Sequence, residues 1–351
     1  MANRPKPREV LTTRLQPRSG LTIGVDIGGT KVLAGVVDGD GRVLETVRRQ
    51  TPDRSKRPDV VEATIVEVVH ELSARHRVAA VGVGAAGFVD SSRSTVLFSP
   101  HLSWRNEPLK AALHHHIRLP VVIDNDANMT AWAEYRFGAA RGYRHALCVT
   151  MGTGIGGALL VDGRIFRGGN GMAGEFGHMQ VVPQGRRCEC GNRGCWEQYC
   201  SGNALVREAR ELLAAQSPVA HQLRALTDDD ASRLSGPIVT AAASAGDPAA
   251  IELFEEIGAW LGTGLANLCA AFDPDRIIVG GGVSEAGDLL LDPAREALRR
   301  SLTGRGFRPE PPVVRAHLGA DAGFVGAADM ARSALGRSRR SSRRRSRRRD
   351  Q

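Results

Sequence analysis

Residues 21–50 show the clearest alternation of apolar runs and turn residues in the chain. The sequence LTIGVDIGGTKVLAGVVDGDGRVLETVRRQ contains an apolar run, a glycine turn, a second run, the turn residues DGDG and a third run. Short runs separated by Gly and Asp are typical of antiparallel strands joined by tight turns. The pattern therefore predicts a three-stranded β-meander.

A second strand–turn–strand unit follows in residues 146–161. The run ALCVT (146–150) is followed by the Gly/Thr turn MGTGIGG (151–157) and by the run ALLV (158–161). This layout resembles that of the first unit. We therefore predict an internal duplication of one β-meander domain, with phosphate held between the two copies.

The rest of the chain alternates predicted strands and helices, which indicates an α/β protein. At 58–77 a broad apolar stripe recurs at helical spacing. Further strands are predicted at 78–83, 119–123, 276–279 and 312–316, and further helices at 129–137, 197–214, 238–272 and 322–335.

The composition is that of an ordinary globular protein. The chain has 351 residues, 42% of them hydrophobic and 24% charged, and is long enough for two domains. No apolar run approaches the roughly 20 residues of a membrane span. The first twenty residues also lack the apolar segment of a signal peptide. We therefore expect a cytoplasmic protein with no membrane partner.

Most of the net positive charge of the chain lies at the C-terminus. Residues 337–351 hold nine Arg and one Asp, or +8, whereas the whole chain has +9, so the rest carries about +1. Such a segment repels itself and has nothing apolar to bury, which predicts a disordered tail. Contact with nucleic acid or polyphosphate through counterion release is one interpretation. A solvated end with no partner is the interpretation we favour. Residues 1–20, rich in Pro and Arg, are predicted to be a flexible extension.

The first glycine turn carries the parts of a phosphate site. A carboxylate ends the strand, two glycines let a ligand approach the backbone, and a hydroxyl and an ammonium group follow. These groups suit phosphate and a magnesium ion. The spacing is not that of a Walker A loop, and a strand follows the turn, which argues against a Rossmann motif. The alternative is a simple hairpin turn. The candidate residues are Asp26, Gly28, Gly29, Thr30 and Lys31.

Polar groups also cluster directly after the predicted strand at 119–123, in the sequence Asp-Asn-Asp-Ala-Asn (124–128). Side chains at the carboxyl edge of a strand face the crevice in which α/β proteins bind ligands. We predict that Asp126 is a general base. A helix N-cap would explain either aspartate alone, but the cluster exceeds what one cap requires. The small-residue loop 84–90, which contains Gly87, would let a ligand approach the backbone.

Two further glycine turns follow predicted strands. Gly152, Thr153 and Gly154 form the turn of the second strand–turn–strand unit. The glycines Gly280, Gly281 and Gly282 end the strand predicted at 276–279, and such a turn suits packing against an adenine or a ribose.

The segment 174–200 contains one histidine and three cysteines with metal-ligand spacing. These are His178, Cys188, Cys190 and Cys195, and a His-Cys₃ set is one that structural zinc uses. Glu175 and Glu197 flank the set, so a metal that fixes this loop would fix two carboxylates as well. The alternatives are reduced thiols without a metal, or a disulfide, which the lack of a secretion signal disfavours.

Taken in order, the motifs resemble one known family. D-I-G-G-T-K, A-G-x-V-D, D-N-D-A-N, G-T-G-I-G-G, E-F-G-H, C-x-C-G-x-x-G-C-W-E and I-V-G-G-G-V are similar to those of the ROK family of sugar kinases and repressors. The similarity covers residues 21–335 and is closest to the ATP-dependent glucokinases of actinobacteria.

The resemblance implies an actin-like (ribonuclease H-like) fold of two α/β domains with a central cleft. It implies a small domain at 21–137 plus 321–336, and a large domain at 138–320 with the zinc loop at 175–200. A repressor of this family carries an N-terminal helix-turn-helix, for which we expect no room in the Pro-rich residues before the first strand.

The resemblance also implies the activity and the roles of the residues. The expected reaction is ATP-dependent phosphorylation of glucose to glucose 6-phosphate by a homodimer or homotetramer, with Mg²⁺ and a structural Zn²⁺. N-acetylmannosamine, fructose or a polyphosphate donor are alternatives. His101 stands where some relatives have asparagine, and we assign it no role. The implied roles are general base for Asp126, sugar binding for Asn125, Glu175, His178, Glu197 and Gly87, ATP binding for the three glycine turns, and zinc binding for His178 and the three cysteines.

Overall fold

The computed structural model describes residues 20–349, with side chains described as far as residue 336. The predicted extension at 1–20 therefore lies, except for residue 20, outside the described residues. The strands are β1 Leu21–Ile27, β2 Lys31–Val37, β3 Val43–Gln50, β4 Val78–Ala85, β5 Phe88–Val89, β6 Val96–Phe98, β7 Arg105–Glu107, β8 Val121–Asn125, β9 Ala146–Met151, β10 Ile155–Val161, β11 Arg164–Phe166, β12 Arg276–Gly280 and β13 Val313–Arg315.

Ten α-helices lie among the described residues. Not one of them is long and apolar enough to cross a membrane. They are α1 Pro58–Arg75, α2 Leu109–His116, α3 Asp126–Phe137, α4 Glu197–Cys200, α5 Gly202–Ala214, α6 His221–Thr227, α7 Gly236–Ser244, α8 Pro248–Phe272, α9 Asp288–Ser301 and α10 Ala322–Arg349.

Two five-stranded sheets have the same topology. The first has the order β3-β2-β1-β4-β8 and the second the order β11-β10-β9-β12-β13. In each sheet the first three strands pair antiparallel and the last two are added in parallel. The repeated order agrees with the duplication that the two glycine-turn units predicted. In parallel pairs the carboxyl ends of the strands meet at one edge, so each sheet brings its glycine turns and polar residues together there.

Helices α3 and α10 lie between the two sheets. On one side, Gly24 and Gly82 let the backbone of α10 rest directly on β1 and β4. A Cβ added to Gly24 would lie 1.7 Å from the carbonyl oxygen of Phe324, and one added to Gly82 would lie 1.9 Å from that of Ala327. On the other side, α3 and α10 share a buried apolar cluster with β9, β10 and β12. Any side chain at these glycines would force α10 off the first sheet.

Several boundaries differ from those predicted: the helix predicted at 238–272 is divided into α7 and α8, and two further differences concern α3 and the tail. Helix α3 begins at Asp126 rather than at residue 129, because the Asn125 side chain accepts a hydrogen bond from the backbone N–H of Asn128 and caps the helix there. The tail predicted to be disordered from residue 337 has helical backbone up to Arg349. Each added residue extends a helix that is already nucleated, and arginine is a good helix former, so self-repulsion alone does not end the helix.

Some elements had no counterpart among the predictions. The three-stranded sheet β5-β6-β7 is built from strands of two or three residues, too short to show a period. Helix α9 packs on α8 through Leu290, Leu291, Ala294 and Leu298. The histidines His114, His115 and His116 at the end of α2 are exposed.

Candidate active site

Asp126 lies where β8 ends and α3 begins. Asn125 occupies the N-cap, so capping does not explain the aspartate that follows it. The Nδ2 of Asn125 donates to the carbonyl oxygen of Gly87 at 3.1 Å and to Oδ1 of Asp126 at 3.0 Å. The backbone N–H of Ala127 donates to the same Oδ1 at 2.9 Å. One carboxylate oxygen is therefore held in place, and Asn125 links it to the loop that contains Gly87.

Burial raises the pKa of Asp126 to about 6. The backbone N–H of Ala127, the nearby His101 and the Asn125 amide act in the opposite direction and limit the rise in pKa. Removing a carboxylate from water disfavours its charged form, whereas donors and positive charge favour it. The balance leaves Asp126 mostly ionised near neutral pH and close to the pKa that suits a general base.

Further carboxylates surround Asp126. The pKa of Asp26 is raised to about 7 by burial and then by the charge of Asp126, while Lys31 lowers it. The pKa of Glu175 is raised to about 7 by burial, by Asp126 and by Glu197. Since Asp26 belongs to the first sheet and Glu175 follows the second, the acidic cluster spans the space between the two sheets.

The turn after β1 is open on its outer side. Gly28 donates its backbone N–H to the carbonyl of Lys31 at 3.0 Å and closes the turn, and the hydroxyl of Thr51 donates to the carbonyl of Gly28 at 2.8 Å. Gly29 and Thr30 are exposed, so their backbone is accessible to a ligand.

The first turn of α10 lies against the Asp26 carboxyl group. A Cβ added to Gly323 would come within 2.6 Å of that group. The positive end of the α10 dipole is therefore close to the predicted phosphate site.

The second and third glycine turns adjoin each other. Gly281 has a φ of +85°, and a Cβ there would lie 2.4 Å from the carbonyl oxygen of Met151. Gly202 donates its backbone N–H to the carbonyl of Gly152 at 2.8 Å, which joins the second turn to α5. Glycine is needed at residue 281 because side chains rarely adopt this φ and because no space exists for one.

The second glycine turn also contacts Glu197, which lies in the segment that carries the three cysteines. The Oε2 of Glu197 accepts from the backbone N–H of Ile155 at 3.4 Å, and a Cβ added to Gly154 would lie 2.6 Å from the same oxygen. On the other side, a Cβ added to Gly156 would lie 3.3 Å from the Cβ of Ala127, the residue after Asp126. The structure thus brings all three turns and the predicted sugar-binding carboxylates to one cleft.

The four predicted zinc ligands converge. Their ligand atoms all lie within 4.8 Å of one another. The Sγ of Cys188 is 3.6 Å from Nδ1 of His178, and the Sγ atoms of Cys190 and Cys195 are 3.6 Å apart. A tetrahedral zinc with Zn–S bonds of about 2.3 Å and Zn–N bonds of about 2.0–2.1 Å places its ligand atoms roughly 3.5–3.8 Å apart. The distances and the donor types therefore fit zinc.

The cysteine loop, residues 175–200, is held against helix α8. Isolated antiparallel bridges between Gln180 and Cys195 and between Arg187 and Arg193 fold it into a short ribbon. Trp196 is fully buried and donates its indole N–H to the carbonyl of Trp260 in α8 at 2.8 Å. None of the six cysteines forms a disulfide in the structure, which argues against the disulfide alternative.

Sequence reasoning gave no role to two parts of this cleft. His101 lies against Gly29, where an added Cβ would be 3.0 Å from its Cβ, and it acts electrostatically on Asp126. The buried Asp124 and the half-buried Arg167 form an ion pair beside Asp126. Arg167 has no neighbouring motif in the sequence that would have identified it.

The ROK family model matches residues 22–334, which are nearly all of the residues that the structure describes. The chain belongs to the ROK family. A curated ROK relative, the glucokinase of Streptomyces coelicolor, is 48% identical over 313 residues, which are 89% of this chain and 98% of that protein. The resemblance expected from the motifs is thereby confirmed.

Solved ROK structures share the fold. The ROK family glucokinase from Streptomyces griseus, in complex with glucose and AMPPNP, is 50% identical with a TM-score of 0.84, and the match covers 90% of this chain and 100% of that one. The ROK hexokinase from Thermus thermophilus is 34% identical with a TM-score of 0.71, covering 90% of this chain and 99% of that one. The predicted α/β fold of a ROK sugar kinase is confirmed.

Proposed function

We propose that this chain is an ATP-dependent glucokinase that converts glucose to glucose 6-phosphate. The observation that carries the proposal is the place of Asp126, in one cleft with three glycine turns and the carboxylates of Glu175 and Glu197. A glucokinase that shares the fold over nearly its whole length binds glucose and AMPPNP.

Asp126 acts as the general base. A primary alcohol is a weak nucleophile at neutral pH, so Asp126 accepts the proton of the glucose 6-hydroxyl as the oxygen attacks the γ-phosphorus. The new O–P bond forms while the bond between the γ-phosphorus and the β,γ-bridging oxygen breaks, and ADP leaves. Asn125 supports this step, because it fixes Oδ1 of Asp126.

The remaining sugar hydroxyl groups are bound by Asn125, Glu175, His178 and Glu197, with the backbone at Gly87 close to the ring. A carboxylate can accept two hydrogen bonds from neighbouring hydroxyls, and each buried hydrogen bond whose partner is lost costs about 1–3 kcal/mol. The two glutamates come from the cysteine loop, whereas Asn125 and Gly87 come from the first sheet's side. The sugar is therefore held by both halves of the cleft, and closure around it excludes water.

The glycine turns bind the nucleotide. Phosphoryl transfer depends mainly on positioning and charge neutralisation, which the backbone N–H groups of Gly29 and Thr30 and the ammonium group of Lys31 supply. The turns at Gly152–Gly154 and Gly280–Gly282 hold the rest of the nucleotide. The Asp26 carboxylate beside the phosphate turn suits Mg²⁺, which prefers oxygen ligands and retains waters.

His178, Cys188, Cys190 and Cys195 would hold a structural zinc ion. Four protein ligands leave no open position for water, so the ion's contribution is to fix the loop. In that arrangement the ligands lie next to both sugar-binding carboxylates in sequence, three residues after Glu175 and two before Glu197. Nδ1 of His178 faces the cysteines, which leaves the other ring nitrogen for a sugar hydroxyl.

A coupled assay tests the proposal. ADP release is followed with glucose, N-acetylmannosamine and fructose as acceptors, and glucose 6-phosphate is measured with ATP and with polyphosphate as donors. We expect the highest kcat/KM for glucose with ATP. A higher kcat/KM for another hexose would reassign the substrate, and no phosphorylation of any hexose would refute the proposal. Light scattering on the same sample tests the homodimer or homotetramer that we also propose.

A further inference from the structure

An ion pair links the edge strands of the two sheets beside Asp126. Arg167 follows β11, and its Nε donates to Oδ2 of Asp124 in β8 at 2.9 Å, with a second bond from Nη2 to the same oxygen. The Asp124 side chain is only 2% exposed and that of Arg167 is 24% exposed. Arg93 provides a second, more distant cation, with Nη1 3.9 Å from Oδ2. The pair holds its two strands in one arrangement, because the buried Asp124 carboxylate would lose its nearest cation if the strands moved apart.

The other oxygen of Asp124 is bonded to the segment that carries Asp126. Oδ1 accepts from the backbone N–H of Asn125 at 3.0 Å and from Nδ2 of Asn128 at 2.9 Å. Arg167 is thus connected through a single carboxylate to the residues on both sides of Asp126.

The backbone after Arg167 leads to Glu175. The carbonyl of Arg167 accepts from the N–H of Ala173 at 3.1 Å, which closes the loop 167–173. Within this loop Gly171 has a φ of +89°, and a Cβ there would lie 2.4 Å from the carbonyl oxygen of Val89 in β5. The loop therefore contacts the preceding part of the chain at two points, Asp124 in β8 and Val89 in β5. It ends two residues before Glu175.

We propose that Arg167 is a positioning residue, whose pair with Asp124 sets the separation between Glu175 and Asp126. This inference rests on the proposed function, because it concerns how the sugar and the base are aligned. The competing explanation is that Arg167 only neutralises the buried charge of Asp124. Both explanations predict that Arg167→Met is harmful, so that variant alone cannot separate them.

The double variant Arg167→Met/Asp124→Asn separates them, because it removes the link together with the buried charge. We expect its melting temperature to return towards that of the wild type while its kcat/KM for glucose stays about 10²-fold lower, as a displacement of about 1 Å at a reacting centre causes. The KM for ATP should change less than twofold. Arg167→Lys keeps the positive charge but loses the planar guanidinium group with its several donors. Its kcat/KM should therefore lie between those of Arg167→Met and the wild type.

Amide hydrogen exchange gives a readout that does not depend on catalysis. In the double variant without ligands, amides of 167–175 should exchange faster than in the wild type, while β9 and β12 stay protected. The matched control is Arg144→Met, which removes an Arg–Asp pair of 2.7 Å whose side chains are both more than 60% exposed. It should leave the kinetics and the exchange unchanged.

Recovery of both melting temperature and kcat/KM in the double variant would overturn the inference, as would unchanged exchange in 167–175. If the wild type itself fails to phosphorylate glucose, the proposed function fails, and the exchange experiment alone then decides whether Arg167 positions the loop.

Discussion

The Sγ of Cys188 lies 3.1 Å from Oε1 of Glu197. A proposed zinc ligand is therefore in contact with a proposed sugar ligand. The same carboxylate oxygen is 3.5 Å from Nδ1 of His178. A change in the metal site should consequently alter the position of Glu197 and weaken sugar binding, even though the metal takes no part in the chemical step.

Cys190→Ser tests the zinc site. Cys190 is exposed whereas the other two cysteines of the set are buried, so its replacement removes a ligand with little effect on packing. We expect the zinc content to fall from about one equivalent per chain to near zero and the KM for glucose to rise, because the loop that carries Glu175 and Glu197 loses its constraint. Metal analysis and kinetics measure the two effects.

The control for this variant is Cys269→Ser, which replaces a buried cysteine at the end of α8. It should keep its zinc. A full equivalent of zinc in the Cys190→Ser protein would show that the ligand set is wrong.

Asp126→Asn tests the general base. The amide fills the same space and cannot accept the proton, so kcat should fall by about 10²–10⁴-fold, the usual contribution of general-base catalysis. Glucose binding, measured by calorimetry, should persist. Asp162→Asn, in the exposed pair with Arg144, is the control that should retain full activity. A near-normal kcat for Asp126→Asn would place the base elsewhere.

The same variant should be more stable than the wild type at high pH. The pKa of Asp126 is higher in the folded protein, about 6, than its ordinary value of 3.8, so the folded state binds the proton more tightly. Stability from this group is present below pH 3.8 and is lost as the pH rises through about 6. The gain in melting temperature for Asp126→Asn should therefore be larger at pH 8 than at pH 5. An equal gain at both values would contradict a raised pKa.

The sequence predicted the parts of this protein that depend on local spacing. The meander at 21–50 follows from short apolar runs and turn residues, and the zinc ligands follow from the spacing of one histidine and three cysteines. The place of Asp126 follows from a strand that ends in a cluster of polar residues. In each case the residues that form the feature are near one another in the chain. For the zinc site, cysteine and histidine are in addition side chains that few other roles require.

The pair Asp124–Arg167 could not be predicted in this way. Its members are 43 residues apart, and an isolated arginine after a short strand resembles any surface arginine. Their contact depends on how α3 and α10 hold the two sheets, which is a property of the whole fold. The interaction of His101 with Asp126 was missed for the same reason: its loop is irregular, so no period places it near the base.

The pH dependence of kcat/KM should reflect the acidic cluster. Asp126 must be ionised to accept a proton, and its pKa of about 6 predicts that kcat/KM for glucose falls as the pH drops through about 6. The positive charge of His101 lowers the pKa of Asp126, so His101→Asn should move this acidic limb to higher pH. Initial rates from pH 5 to 9 measure the limb. An acidic limb that stays near pH 4 in the wild type would contradict the raised pKa.

Removal of the basic tail should leave catalysis unchanged. The proposed site residues lie between Asp26 and Gly282, and the part of α10 that packs in the core is buried as far as Ser333. A protein that ends at Leu335 keeps this packed part and loses a segment with a net charge of +8. We therefore expect the same kcat and KM, within about twofold, for glucose and ATP.

Binding to polyanions, unlike catalysis, should distinguish the full chain from the protein that ends at Leu335. Because we favour a solvated tail with no partner, we expect the full chain to retard single-stranded DNA or polyphosphate only weakly and nonspecifically at about 50 mM salt and to release it by about 200 mM, since each neutralised phosphate makes the affinity depend on salt. The shortened protein carries a net charge near +1 and should not bind at either concentration. Binding that survives truncation would locate the polyanion site on the folded body. A loss of glucose phosphorylation on truncation would show that the tail supports the cleft.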